Sequence, residues 1–166
     1  MNKKNFLNTL FFIVAVYALY LRLPSILTHF KYQDQKATDF TVKMINGENF
    51  NLISQPKKSV IVFWATWCGP CEIELKRINK LVMEKKILPS DILAISSNEE
   101  ESIVREKAKR ENYLFNIGLD TNGTIANLYQ VSATPTIIFI DEKQIITWMT
   151  SGLSPTLEYR ITSFLK

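Results

Sequence analysis

The sequence predicts an α/β domain that opens with a β-hairpin and is preceded by an apolar N-terminal helix and a short linker. Three observations carry that prediction. Strand-like apolar runs alternate with amphipathic helical stretches from Ser59 to Asn112, the rhythm of strand–helix units. Asp39–Ile53 shows the alternation and the turn residues of a hairpin. Asn5–Leu21 contains no charged residue.

A chain of 166 residues, 46% apolar, suits one domain with a full core plus a short appendage. Its net charge of +4 is unevenly placed. Residues 1–36 hold five basic side chains against Asp34 alone, whereas residues 37–166 hold 15 basic and 15 acidic groups. The basic character belongs to the N-terminus, and nothing in the domain favours nucleic acid as a partner.

The first element is the apolar stretch. As a helix Asn5–Leu21 spans about 26 Å, slightly short of a hydrocarbon core of roughly 30 Å. Lys3 and Lys4 precede it, and Tyr17, Tyr20 and Arg22 stand where interface residues would. Residues 1–23 therefore read as a single-pass membrane anchor and residues 24–38 as a linker opened by Pro24. A cleaved signal peptide is the competing reading, with Val16-Tyr17-Ala18 as a weak cleavage site that would leave Leu19–Leu23 without a use. Charge counting leaves orientation open. His29, the lone histidine, falls in the linker, a poor place for a catalytic base.

Residues 39–166 form the domain. Phe40, Val42 and Met44 alternate, Asn46-Gly47 supplies a turn, and Phe50 and Leu52 alternate again. Val60–Ala65 is a buried strand, β-branched and aromatic with no charge. Ile73, Leu75, Ile78, Leu81 and Val82 then recur at helical spacing. Asp91–Ser97 is a second buried strand. Asn98 is expected to cap a helix with Glu99-Glu100-Glu101 in its first turn, running to about Asn112 as a charged, solvated face. A short strand at Phe115–Leu119, a turn at Asp120–Gly123 and a small helix at Thr124–Gln130 follow. Strands at Thr136–Ile140 and Ile145–Met149 flank a turn at Asp141-Glu142-Lys143. Ser154 and Pro155 are expected to open the last helix, through Phe164.

Cys68-Gly69-Pro70-Cys71 sits where the Val60–Ala65 strand hands over to its helix. Cys68 should cap that helix, where unpaired N–H groups and the macrodipole stabilise a thiolate, the reactive form of cysteine. Pro70 is harmless there, because its clash falls on the Thr66 carbonyl outside the helix. Cys71, three residues on, shares the helical face and can reach the Cys68 sulfur. Other uses of such a pair fit poorly. A closed zinc site needs four ligands, and the chain has two cysteines and one histidine; haem attachment needs His where Glu72 stands. A purely structural disulfide would close a longer loop. The pair reads as a redox dithiol.

Trp67-Cys68-Gly69-Pro70-Cys71, the Thr134-Pro135-Thr136 loop, and Asp120 with Tyr129-x-Val131 resemble the thioredoxin superfamily. The element order is similar to its extracytoplasmic, membrane-tethered branch, the ResA/TlpA type and the cytochrome c maturation thioredoxins. The resemblance covers about Asp39 to Lys166. It implies a three-layer fold with a central mixed β-sheet and an N-terminal hairpin extension, a cis Pro135 facing the cysteines, and no cofactor or metal. It implies catalytic Cys68 and Cys71, with Trp67, Gly69, Pro70, Thr134 and Pro135 at the substrate, whose chain would add to the loop backbone. The partners implied are protein disulfides, apocytochrome c among the candidates, with a membrane thiol carrier as electron donor. The location implied is the cytoplasmic (inner) membrane, facing the periplasm or cell exterior.

Two departures bear on proton transfer. Cytoplasmic thioredoxins carry a buried Asp where Val62 stands; the tethered branch often has a Glu three residues after the second cysteine, here Glu74. Glu74 can lie under the pair and take the proton of Cys71, or it can be a solvated partner of Lys76 or Arg77. Lys76 replaces a common Pro, which predicts a straighter helix. Gly-Pro between the cysteines is the pairing of reducing thioredoxins, at about −270 mV against about −120 mV for a strong oxidant. Thr134 before the proline also occurs in isomerases, so isomerisation stays open. A peroxiredoxin-type peroxidase would need Pro and Thr/Ser where the chain has other residues, Trp64 and Ala65 standing just before the turn.

Overall fold

A computed structural model describes residues 8–17 and 33–166. Residues 8–17 are helical and exposed, and among the described residues no helix is long and apolar enough to cross a membrane. The remainder of the expected anchor, and His29 in the linker, lie outside the described residues.

Seven strands form one sheet: β1 (Thr41–Met44), β2 (Asn49–Asn51), β3 (Ser59–Trp64), β4 (Ile92–Ser97), β5 (Asn116–Asp120), β6 (Thr136–Ile140) and β7 (Ile146–Ser151). Their order is β2-β1-β5-β4-β3-β6-β7. β3, β4 and β5 are parallel, and the other pairings are antiparallel, so the sheet is mixed as expected. Four helices complete the domain: α1 (Gly69–Met83), α2 (Glu101–Glu111), α3 (Thr124–Leu128) and α4 (Leu157–Leu165).

β3 is central and buried on both faces, which is why its run is continuously apolar. Strand alternation sends Val60, Val62 and Trp64 to one face, where they meet Leu75, Ile78 and Leu81 of α1, Val104 and Ala108 of α2, and Leu157 and Ile161 of α4. Ile61 and Phe63 face the other way, into a second core with Phe40, Val42 and Phe50 of the hairpin region and Ile125 of α3. The result is three layers. The hairpin pairs Val42 with Phe50 around the Asn46-Gly47 turn, where Gly47 has φ 92°. The chain joins the sheet before that: Asp34 and Ala37 N–H donate to the Ile146 and Gln144 carbonyls at 2.8 and 2.7 Å.

Three local expectations are corrected. Asn98 does not cap α2; it turns the chain at φ 59°, its N–H donates to the Asp120 carbonyl at 2.9 Å, and the helix starts at Glu101 after Glu100. α2 is not wholly a solvated face either. Lys107 is buried and pairs with Glu72 of α1 at 2.5 Å and with Glu111 at 3.2 Å, so ion pairs join the two helices. Ser154 and Pro155 do not open the last helix, which begins at Leu157; the Ser154 carbonyl accepts from Leu157 N–H in a turn that precedes it.

Candidate active site

The end of β3 delivers Ala65, and a tight turn closes as Cys68 N–H donates to the Ala65 carbonyl at 3.2 Å. Cys68 is the N-cap of α1, and its Sγ accepts the Cys71 N–H at 3.2 Å. That places the sulfur at the positive end of the helix, where negative charge on it is favoured. Cys68 and Cys71 are joined in a disulfide with Cα atoms 5.2 Å apart. They are not equivalent: Cys71 is fully buried, while Cys68 keeps 6% of its surface. Trp67 stands out 79% exposed beside the pair, and the space a Gly69 Cβ would enter is open to 4 Å.

The loop before β6 closes the other side. Thr134–Pro135 is a cis peptide bond, as the resemblance implied, and the Thr134 carbonyl oxygen lies 3.5 Å from Cys68 Sγ. Thr136 is buried and braced by the Ala133 carbonyl and the Ser151 hydroxyl, each at 2.7 Å. Gly152 N–H donates to the Pro135 carbonyl at 2.7 Å, tying the β7–α4 loop to the proline.

Glu74 is fully buried rather than solvated, yet it keeps the Arg77 partner that the second reading gave it. Its Oε1 accepts from Ser154 N–H at 2.6 Å and its Oε2 from Arg77 Nη1 at 2.9 Å. Arg77 also reaches Glu158 and the Ser154 and Pro155 carbonyls. The direct partners of the carboxylate are therefore its own helix and the β7–α4 loop. Val62, at the position of the cytoplasmic Asp, is buried in the core. Lys76 lies outside the core and pairs with Glu72 and Glu111. The Lys107 and Lys76 ammonium groups hold the Glu72 carboxyl down at about 2. Asp120 and Tyr129, read as family markers, are structural: Asp120 accepts from Ile125, Ala126 and Ser97, and the Tyr129 hydroxyl donates to the Thr38 carbonyl.

Sequence reasoning missed Glu99. Its carboxylate accepts the Thr66 N–H at 2.9 Å, the Thr66 hydroxyl, and the Ser96 hydroxyl at 2.5 Å, so it holds the turn that presents Cys68. In sequence it is one of three consecutive glutamates, and no local signal separates it from its neighbours.

Residues 34–149 match the model of the AhpC/TSA family. The thiol-disulfide oxidoreductase ResA of Geobacillus kaustophilus is 35% identical over 67% of this chain and 67% of its own. The thioredoxin-like protein YneN of Bacillus subtilis is 35% identical over 69% of this chain and 68% of its own. Among solved structures, a putative protein disulfide isomerase from Bacteroides thetaiotaomicron superposes with a TM-score of 0.72 at 25% identity, covering 80% of this chain and 89% of that one. The family match takes in the hairpin, the dithiol and the proline loop together, so the chain belongs to the AhpC/TSA family and is a thioredoxin-like thiol-disulfide oxidoreductase.

Proposed function

We propose that the protein is a membrane-anchored reductase of protein disulfides outside the cytoplasm, with Cys68 as nucleophile and Cys71 as resolving thiol. The observation that carries the reading is the asymmetry of the pair: the helix-capping Cys68 is the sulfur with access, and Cys71 has none. In the reduced enzyme the Cys68 thiolate attacks a substrate disulfide, one substrate sulfur leaves as a thiolate and takes a proton, and a mixed disulfide forms. Trp67, Gly69, Pro70 and the Thr134–Pro135 backbone flank the substrate chain. Cys71 then gives up its proton and attacks the Cys68 sulfur. The second substrate thiol leaves, two electrons have passed to the substrate, and the enzyme holds the Cys68–Cys71 disulfide. Glu74, buried one turn beyond Cys71, is the proton acceptor we assign to that step. A membrane thiol carrier returns the electrons, and apocytochrome c is a candidate substrate by the family resemblance. The uncharged Asn5–Leu21 stretch with Lys3 and Lys4 before it supports the anchor, residues 1–23, and the single-pass placement in the cytoplasmic membrane.

The test is insulin reduction by the reduced full-length protein. Wild type should catalyse it, Cys68→Ser should be inactive, and Cys71→Ser should trap mixed disulfides with partners in cells. An active Cys68→Ser would overturn the assignment. Thr134 leaves isomerisation as the second reading; reactivation of scrambled ribonuclease faster than net reduction would favour it.

A further inference from the structure

The domain is neutral but not uniformly so. β3, β4, β5 and β7 run the same way, each toward the dithiol, and α1, α2 and α4 run back from that end. The opposite end is therefore capped by residues 45–48, 57–58, 80–91, 109–114, 141–145 and 164–166. These segments carry nine basic and six acidic side chains, so the remainder of residues 37–166, which includes the dithiol, carries six basic and nine. The fold separates charge along the strand axis.

The basic end also exposes apolar side chains. Met83 and Leu88 are each 65% exposed and Leu114 is 42% exposed. Lys85 and Lys86 lie between the first two, and Lys109 sits in the last turn of α2. Lys85 and Lys109 have no carboxylate partner among the described residues. Large apolar side chains interleaved with lysines at one face suit the interfacial zone of a bilayer, where the apolar groups enter the headgroup boundary and the ammonium groups meet anionic lipid. The inlet of the chain agrees. Residues 34–37 bond to Gln144–Ile146, at this same end of the sheet, so the segment that leads to the apolar N-terminus joins the domain here.

We propose that this basic, apolar end rests on an anionic bilayer surface and holds the dithiol at the far side of the domain from the membrane. The inference rests on the anchored reading above, and the experiment separates the two. Full-length protein carrying a benzophenone amino acid at Leu88, or at Ile103 near the dithiol end, is reconstituted into phosphatidylcholine vesicles with or without 30% phosphatidylglycerol, floated and irradiated. The Leu88 probe should form lipid adducts at least about fivefold more than the Ile103 probe in anionic vesicles. The ratio should fall toward one in high salt, where charge acts only over a few ångströms. The pair Lys85→Glu and Lys109→Glu should abolish the ratio without changing insulin reduction. Protein that floats but labels equally at both positions overturns the proposal and leaves the anchor standing. Floating protein without adducts at Leu88 also overturns it, and gives the face to a protein partner. Protein that fails to float overturns both.

Discussion

The turn before the dithiol and the helix after it are each latched by one carboxylate, and the latches differ in kind. Glu99 holds the turn through neutral donors, the Thr66 N–H and the hydroxyls of Thr66 and Ser96. Glu74 holds the helix through a guanidinium and a backbone N–H, in full burial. Their reach differs too. Glu99 fixes the residue that leads to Cys68, whereas Glu74 grips Ser154, two residues from the Gly152 N–H that supports Pro135. One carboxylate sets the approach to Cys68 and the other sets the loop opposite it. Neutral donors fix a backbone without needing charge balance; a buried carboxylate needs its cation, so Glu74 and Arg77 act as a unit.

The largest effect should separate the two carboxylates in kinetics. Glu74→Gln should slow decay of the mixed disulfide by about 10²-fold or more at neutral pH, the usual scale of general acid–base help. The defect should shrink as pH rises and hydroxide deprotonates Cys71. Rapid mixing at several pH values measures it. A change of less than about twofold would leave Glu74 as a latch only.

Stability should rank the latches next. Removing one partner of a buried ion pair typically costs about 3–5 kcal/mol. Arg77 is a quarter exposed and keeps Glu158, so about 2–3 kcal/mol is expected for Glu74→Gln in urea unfolding of the oxidised protein. Glu99→Gln keeps an acceptor oxygen and should cost about 1–2 kcal/mol. Equal losses would erase the distinction between charged and neutral latching.

Glu72 provides the smallest effect and a pH signature. Its folded carboxyl is held at about 2, below the ordinary 4.5, so its stabilisation is present above 4.5 and is lost as pH falls through about 2. Glu72→Gln should lower the melting temperature by a few degrees at neutral pH, since partly exposed pairs contribute little. The difference should shrink as pH falls below 4.5 and vanish below about 2. A difference that persists there would mean that the Lys107 and Lys76 bridges are not its source.

What was legible in the sequence was local. The Asn46-Gly47 turn, the Val60–Ala65 run and the helical spacing after Cys71 each announce an element within a few residues, and Thr136–Ile140 is observed with the bounds expected. The cysteine pair was legible because one short motif contains the strand end, the cap and both sulfurs. The remainder depends on partners distant along the chain. Glu99 meets Thr66 across 33 residues and Glu74 meets Ser154 across 80. Diversion of Glu99 to Thr66 and Ser96 takes it out of the α2 first turn, and contact with Glu72 draws Lys107 out of solvent. No periodicity encodes such pairings.

Pairing of residues 34–37 with the opening of β7 has a consequence for the sheet's rim. β2, at one rim, is three residues long, and β7, at the other, would present open N–H and C=O groups from its first residue. The incoming chain occupies the first of these, which removes part of a template on which another molecule could add a strand. A soluble fragment that begins at Thr38 would lack this cover and should self-associate at β7, while one that begins at Tyr32 would carry the bridging residues and stay dispersed.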